Sequence, residues 1–145
     1  MIKIIGVGSI KEEYIRKAIA QQCEKINKHS RIEIITVEDE KCPENFSEKQ
    51  REEVKSKEGQ KILRHIKPED YVIALTLEGE AFYHFELKSM LLQKNVCFLI
   101  GGSLGLSEEV KKRAHREMSF GDMTYPHQLM RWILAEKIAD ILQSV

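Results

Sequence analysis

Two glycine-bearing loops hold the residues with the clearest capacity for chemistry. The first is Gly101-Gly102-Ser103-Leu104-Gly105, directly after the apolar run VCFLI. The second is Gly121-Asp122-Met123-Thr124-Tyr125-Pro126, directly before a long apolar helix pattern. Glycine lets backbone approach a ligand closely. One such loop is as readily a tight turn, so the weight rests on the pairing: each follows a strand-like run and precedes a helix. In open α/β sheets ligands sit at the carboxyl ends of such strands. Backbone groups of the two loops could hold a flat heterocycle, with Leu75 and Leu104 as apolar walls. The first loop lacks a following Lys-Ser or Lys-Thr and is not a P-loop.

Around these loops stand candidate polar groups. His127 follows Pro126 at the pocket mouth. It reads either as an exposed helix-start side chain or as a proton carrier beside a substrate. Arg131 lies one helical turn later on the same face. It could meet a phosphate or be an ordinary surface charge. Lys111, Lys112, Arg113, His115 and Arg116 form a basic cluster on the preceding helix. Such a run is usually a solvated face; here it is also the best candidate contact for a nucleic-acid backbone. No set of His, Cys, Asp and Glu has metal-ligand spacing, and no metal is expected.

The elements that must position these groups follow from periodicity. Ile2 to Val7 is an apolar run broken by Lys3, suited to a buried strand, and Gly6 to Ser9 end it. Tyr14, Ile15, Ala18, Ile19, Cys23 and Ile26 predict a helix from about 10 to 28. A dinucleotide fingerprint at this turn needs a third glycine where Lys11 stands, which argues against a nicotinamide or flavin site. Arg31 to Val37 is a second strand. Ser47 can cap a helix running towards Ile66, whose first half has little apolar face beyond Val54 and reads as solvated. Gly59 suggests a bend or break in it. Pro68-Glu69-Asp70 is a turn, and Tyr71 to Leu77 a third strand closed by a loop at Glu78-Gly79. A short helix at Phe85 to Leu92 leads to the fourth strand, Val96 to Ile100. Ser107 caps a helix with Glu108 and Glu109 in its first turn. Met118 to Phe120 can form a fifth strand. Pro126 then opens a helix striped by Leu129, Met130, Ile133, Leu134, Ile138, Ile141 and Leu142.

Strands alternating with helices imply an α/β fold, an open and mostly parallel sheet with helices on both faces. The final stripe is wide enough either to cover the sheet or to pack on a second subunit. The 145 residues suit a single domain spanning 1–145. Lys+Arg and Asp+Glu are equal at 23 each, so no global field draws the chain to nucleic acid, and a polyanion would need a local patch. Cys23, Cys42 and Cys97 form no CxxC pair, which favours free thiols in a reducing compartment. No apolar run reaches spanning length, and MIKIIGVGS is too short for a signal segment, so a cytoplasmic protein is expected.

The run IGGSLGL, followed after a short helix by the S-F-x-x-M-T-x-P-H-x-x-x-R pattern of Ser119 to Arg131, resembles the RlmH (YbeA-like) ribosomal RNA large subunit methyltransferases. The N-terminal IKIIGVGSIKEEYIRKAI and the central KEGQKIL, Lys57 to Leu63, agree with it. The resemblance covers nearly the whole chain. It implies a small SPOUT-type domain whose C-terminal part threads a deep trefoil knot, acting as a homodimer. It also implies that S-adenosyl-L-methionine methylates N3 of a pseudouridine in 23S rRNA on assembled ribosomes. Residue by residue, the cofactor would be held by Leu75, Gly102 and Gly121, Asp122, Met123, Thr124, Tyr125 and Pro126. His127 and Arg131 would face the nucleotide as catalytic groups, and Lys111, Lys112, Arg113 and Arg116 would meet RNA.

Two departures from the family pattern stand out. Members usually continue into a tail ending in Tyr-His-Arg or Tyr-His-Lys, whereas Gln143-Ser144-Val145 stand last here. Losing a positioned acid/base group costs on the order of 10²–10⁴-fold in rate. An alternative expectation is therefore a cofactor- or ribosome-binding homologue with weak catalysis. The other departure is Thr76, where an acidic residue is common.

Overall fold

The computed structural model describes residues 1–81, 84–119 and 127–144, with the side chains of residues 84, 85, 127 and 128 outside that description. Ten elements follow one another: β1 (Ile2–Val7), α1 (Glu13–Asn27), β2 (Ile32–Val37), α2 (Glu48–Leu63), β3 (Tyr71–Ala81), α3 (His84–Met90), β4 (Val96–Ile100), α4 (Glu108–Arg113), β5 (Arg116–Ser119) and α5 (His127–Gln143). Every strand pairing is parallel, in the order β2-β1-β4-β3-β5. The α/β class and the parallel sheet expected from the alternation are both present.

Strand periodicity sorts the core into two layers. Ile2 and Ile4 of β1, with Phe98, Ile100 and Ile73, pack under Ile26 of α1, Leu87 of α3 and Leu134 and Ile138 of α5. Ile5 and Val7, with Cys97, Leu99, Val72 and Ala74, pack under Ile62 of α2 and Val110 of α4. β1 and β4 are buried along their whole length, as central parallel strands must be. Part of the stripe on α5 covers the sheet, with Leu134, Ala135, Ile138 and Ala139 fully buried there, whereas Leu129, Met130, Ile133 and Leu142 are only partly covered.

Several boundaries differ from the periodicity reading. α1 begins at Glu13 rather than near residue 10, because the Ile10 and Lys11 carbonyls accept from the Arg16 guanidinium at 2.8 and 3.1 Å. Ser47 caps α2 as expected, in a full capping box with Gln50. Gly59 does not break α2, which is continuous from Glu48 to Leu63. A Cβ there would lie 2.5 Å from Ser107 Oγ, so the glycine admits the start of α4. β3 runs past Leu77 to Ala81, and Gly79 lies inside it at an irregularity opposite β5 rather than in a loop. A Cβ on Gly79 would meet the Met118 backbone nitrogen at 2.5 Å. The fifth strand starts two residues earlier than read, at Arg116.

Lys3, the one interruption in the first strand, is buried and ion-paired to Asp70 at 2.7 Å. Its ammonium also donates to the His65 carbonyl at 2.9 Å. No helix among the described residues is long and apolar enough to cross a membrane.

Candidate active site

The carboxyl ends of β1, β4 and β3 meet at one edge. Gly6 and Leu75 both register with Ile100, the last residue of β4. From β1 the chain leaves to α1 on one face of the sheet; from β4 it leaves to α4 on the other. That divergence opens a crevice between β1 and β4, the topological switch point where ligands bind in such sheets.

The first glycine loop forms the β4 side of this crevice. Gly102 and Gly105 bridge each other, with the Gly105 N–H donating to the Gly102 carbonyl at 3.0 Å. Gly105 has φ +85°, which L side chains rarely adopt, and a Cβ on Gly101 would press within 2.7 Å of the Gly105 carbonyl carbon. The loop is thus a tight hairpin that only glycine permits. Leu106, fully packed, anchors it from below, while Leu104 is only partly covered. Leu75 is 9% exposed at the adjacent strand end. Thr76, the departure noted above, donates from its hydroxyl to Glu117 at 3.2 Å. An uncharged flat ring beside backbone donors and a leucine fits this edge; Leu75 and Gly102 stand one strand apart there.

The β1 side consists of the turn Gly6-Val7-Gly8. Gly8 has φ +86°, and its N–H donates to the Val37 carbonyl at 2.8 Å. Arg131 corrects the expectation of a surface charge facing a phosphate. Its side chain is 1% exposed, and its guanidinium donates to the carbonyls of Val7 at 2.8 Å and Gly8 at 2.5 Å. Burial pushes its pKa down from the usual value. Nε is buried without a partner among the described residues. The guanidinium lies against the Gly6 Cα, in the space a side chain would need. Arg131 therefore clamps α5 to the end of β1 and positions the turn.

Of the remaining expected residues, Gly121, Asp122, Met123, Thr124, Tyr125 and Pro126 lie outside the described residues, as does the His127 side chain; the His127 backbone opens α5. The basic cluster is dispersed. α4 ends at Arg113, because His115 turns into the sheet. The His115 N–H donates to the Val72 carbonyl at 2.8 Å, its Nδ1 accepts from the Val72 N–H at 2.9 Å, and its ring stacks on Tyr71. Arg116 consequently belongs to β5, where Glu86 at 3.0 Å and Glu80 at 3.7 Å engage it. Arg113 donates to the Lys67 carbonyl, and Lys111 lies 3.6 Å from Glu108. Lys112 is exposed.

One group that pattern reading passed over is Glu58. It is 5% exposed, on the opposite side of Gly102 from Leu75, and its Oε2 accepts from the Glu40 N–H at 2.9 Å. Desolvation by burial raises its pKa. The only trace in the sequence was the KEGQKIL match. A raised native pKa means the folded chain holds an extra proton between the ordinary carboxylate range and the native value. Stability from this group is therefore present at low pH and falls as pH rises through that window. Glu58→Gln is expected to melt at or above the wild-type temperature at pH 8, with the difference vanishing near pH 4 in a thermal melt series. A difference that grows towards acid pH would refute the assignment.

Comparison with known proteins agrees with this geometry. The family model described as "Predicted SPOUT methyltransferase" matches residues 1–140. The chain belongs to this family. It is 48% identical to Ribosomal RNA large subunit methyltransferase H of Carboxydothermus hydrogenoformans, over 94% of this chain and 90% of that protein. Proteins of the same name from Clostridioides difficile and Bacillus pumilus are 46% and 43% identical over the same shares.

Proposed function

We propose that this SPOUT methyltransferase transfers a methyl group from S-adenosyl-L-methionine to large-subunit ribosomal RNA, at N3 of a pseudouridine in assembled ribosomes. The observation that carries the proposal is the glycine hairpin at the switch point, in a chain 48% identical to a protein named as a ribosomal RNA large subunit methyltransferase. The bound cofactor would supply an electrophilic methyl group. The work left to the protein is positioning and exclusion of water, which can account for about 7–11 kcal/mol of a barrier.

The residues divide that work by position. Leu75, the backbone of Gly102 and residues Gly121 to Pro126 would together hold the adenosine. Arg131 fixes the turn beneath. His127, at the start of α5, would stand beside the nucleotide and accept or hold the proton at N3. Lys112 and Lys111 on α4 are the residues of the expected basic patch best able to meet phosphate, with Arg113 at its rim. Arg116, already engaged by two carboxylates, contributes less.

The proposal includes the trefoil knot and a homodimer. An apolar groove of about 730 Å³ lies between α1 and β2, lined by Ile10, Ile19, Ala20, Cys23 and Ile34, with Arg131 at its inner end. Leu129, Met130, Trp132 and Ile133 on α5 remain partly exposed close by. A second copy seated on these surfaces would bury them.

The test is calorimetric titration of S-adenosyl-L-methionine followed by transfer of labelled methyl to ribosomes lacking the modification. Binding and transfer to the large-subunit RNA are expected. Binding without transfer would overturn the enzymatic reading, and no binding would overturn the cofactor site itself.

A further inference from the structure

The KEGQKIL stretch has no role in the function proposed above, yet it forms the strip by which α2 grips the candidate site. Gly59 admits Ser107 at the start of α4. Gln60 donates to Glu109 at 2.8 Å. Lys61 donates to the Glu38 carbonyl at 3.0 Å and pairs with Glu40 at 2.9 Å. Glu58, on the same helix, reaches into the crevice. Its carboxylate oxygens lie 3.4 and 3.6 Å from the point where a Cβ on Gly102 would stand, and Val7 Cγ1 lies 3.2 Å from that point. The same carboxylate holds the Glu40 N–H.

We propose that Glu58 is a positioning residue that spans the switch-point crevice, fixing the Gly102 hairpin against the segment around Glu40 and so setting affinity for the methyl donor. The proposal rests on the reading that Gly102 contacts S-adenosyl-L-methionine. Glu58 acts through the loop and the backbone, without touching the reacting atoms.

The physical case is one of cost and alternatives. Burying a carboxylate is expensive unless it is hydrogen-bonded, and here one backbone N–H is the hydrogen bond in evidence. Packing alone would be served as well by an apolar side chain of the same volume. What an apolar group cannot do is accept from the Glu40 N–H while standing beside Gly102. A methyl at position 102 would meet the carboxylate at an ordinary contact distance of 3.4 Å, and without the carboxylate the Glu40 N–H loses its acceptor on α2. Groups that support binding sites in this way commonly govern affinity by 10–100-fold, as the outer-shell partners of metal ligands do.

The test compares Glu58→Ala, Glu58→Gln and Val54→Ala. Val54 is a buried residue of the same helix, one turn away from Glu58. Each variant is titrated with S-adenosyl-L-methionine, melted, and followed by hydrogen–deuterium exchange over residues 38–40 and 101–106. Glu58→Ala is expected to weaken binding by about tenfold or more and to speed exchange in both segments. Glu58→Gln keeps an acceptor for Glu40 and should stay within about twofold of wild type. Val54→Ala should lower the melting temperature while leaving affinity and exchange at the crevice unchanged. Wild-type affinity in Glu58→Ala, or equal weakening by Val54→Ala, would overturn the proposal. If the wild-type protein fails to bind the donor, the cofactor reading falls by itself. Exchange then decides the tether, and unchanged protection at both segments in Glu58→Ala would sink it.

Discussion

Asp70→Ala is expected to destabilise the protein by about 3–5 kcal/mol, the range for removing one partner of a buried ion pair. Asp70 is 3% exposed and Lys3 7% exposed. Their contact at 2.7 Å is reinforced on both sides: the Lys3 ammonium also donates to the His65 carbonyl, and the Asp70 carboxylate also accepts from the Lys67 N–H at 2.8 Å. Without the acid, an ammonium is left in the second position of the central strand β1, under the α2 layer. The double variant Lys3→Met/Asp70→Leu should recover most of the loss or exceed wild type, since apolar replacement of a buried pair is often neutral or stabilising. Chemical denaturation of the two single variants and the double one measures this directly. A loss under about 1 kcal/mol for Asp70→Ala would mean that the pair behaves as a solvated one. The pair sits at the amino edge of the sheet, so folded Asp70→Ala protein should bind S-adenosyl-L-methionine as wild type does.

Gly6→Ala is the corresponding change at the carboxyl edge. The added methyl would stand 2.6 Å from Arg131 Cζ and 2.8 Å from Nη2. Neither group can yield cheaply. The guanidinium is buried and held by the Val7 and Gly8 carbonyls, and β1 is fixed between β2 and β4. Overpacking of this kind costs about 1–3 kcal/mol. Arg131→Ala removes the obstruction but leaves two carbonyls unpaired, at about 1–3 kcal/mol. The double variant should therefore be more stable than the sum of the two losses implies, with a coupling of about 0.5–3 kcal/mol. Additive losses would show that the methyl clashes with something other than Arg131. Because the turn forms one wall of the crevice, Gly6→Ala should also weaken donor binding, which calorimetry on the folded fraction will read.

The fold was legible to an unequal degree. Four apolar runs, those of β1 to β4, alternate with helical patterns and point to a parallel sheet; the fifth strand, Arg116–Ser119, has Met118 as its one apolar residue and was the least legible. The ends of elements were less legible. Gly79 and Gly59 both look like punctuation, yet each lies inside an element, where the absent side chain makes room for a neighbour distant in sequence. Their meaning depends on which backbone or hydroxyl arrives at that point, and no local pattern carries that information.

At the site, the residue types and order already carried a family resemblance: the first glycine loop, the second loop and the final apolar helix are local motifs, and the chemistry expected of them is what that resemblance implies. Tertiary structure decided which of the accompanying charges are available. Arg131 and His115 carry the same labels in sequence as Lys112. Arg131 is drawn inward, where it donates to the carbonyls of the β1 turn more than a hundred residues away, and His115, though exposed, is engaged by the backbone of Val72. Glu58 shows the converse. On a helix that reads as solvated, it is buried because α2 happens to cross the Gly102 hairpin. Burial and long-range hydrogen bonding are properties of the packed chain, and they decide whether a charge works on a ligand or holds the protein in shape.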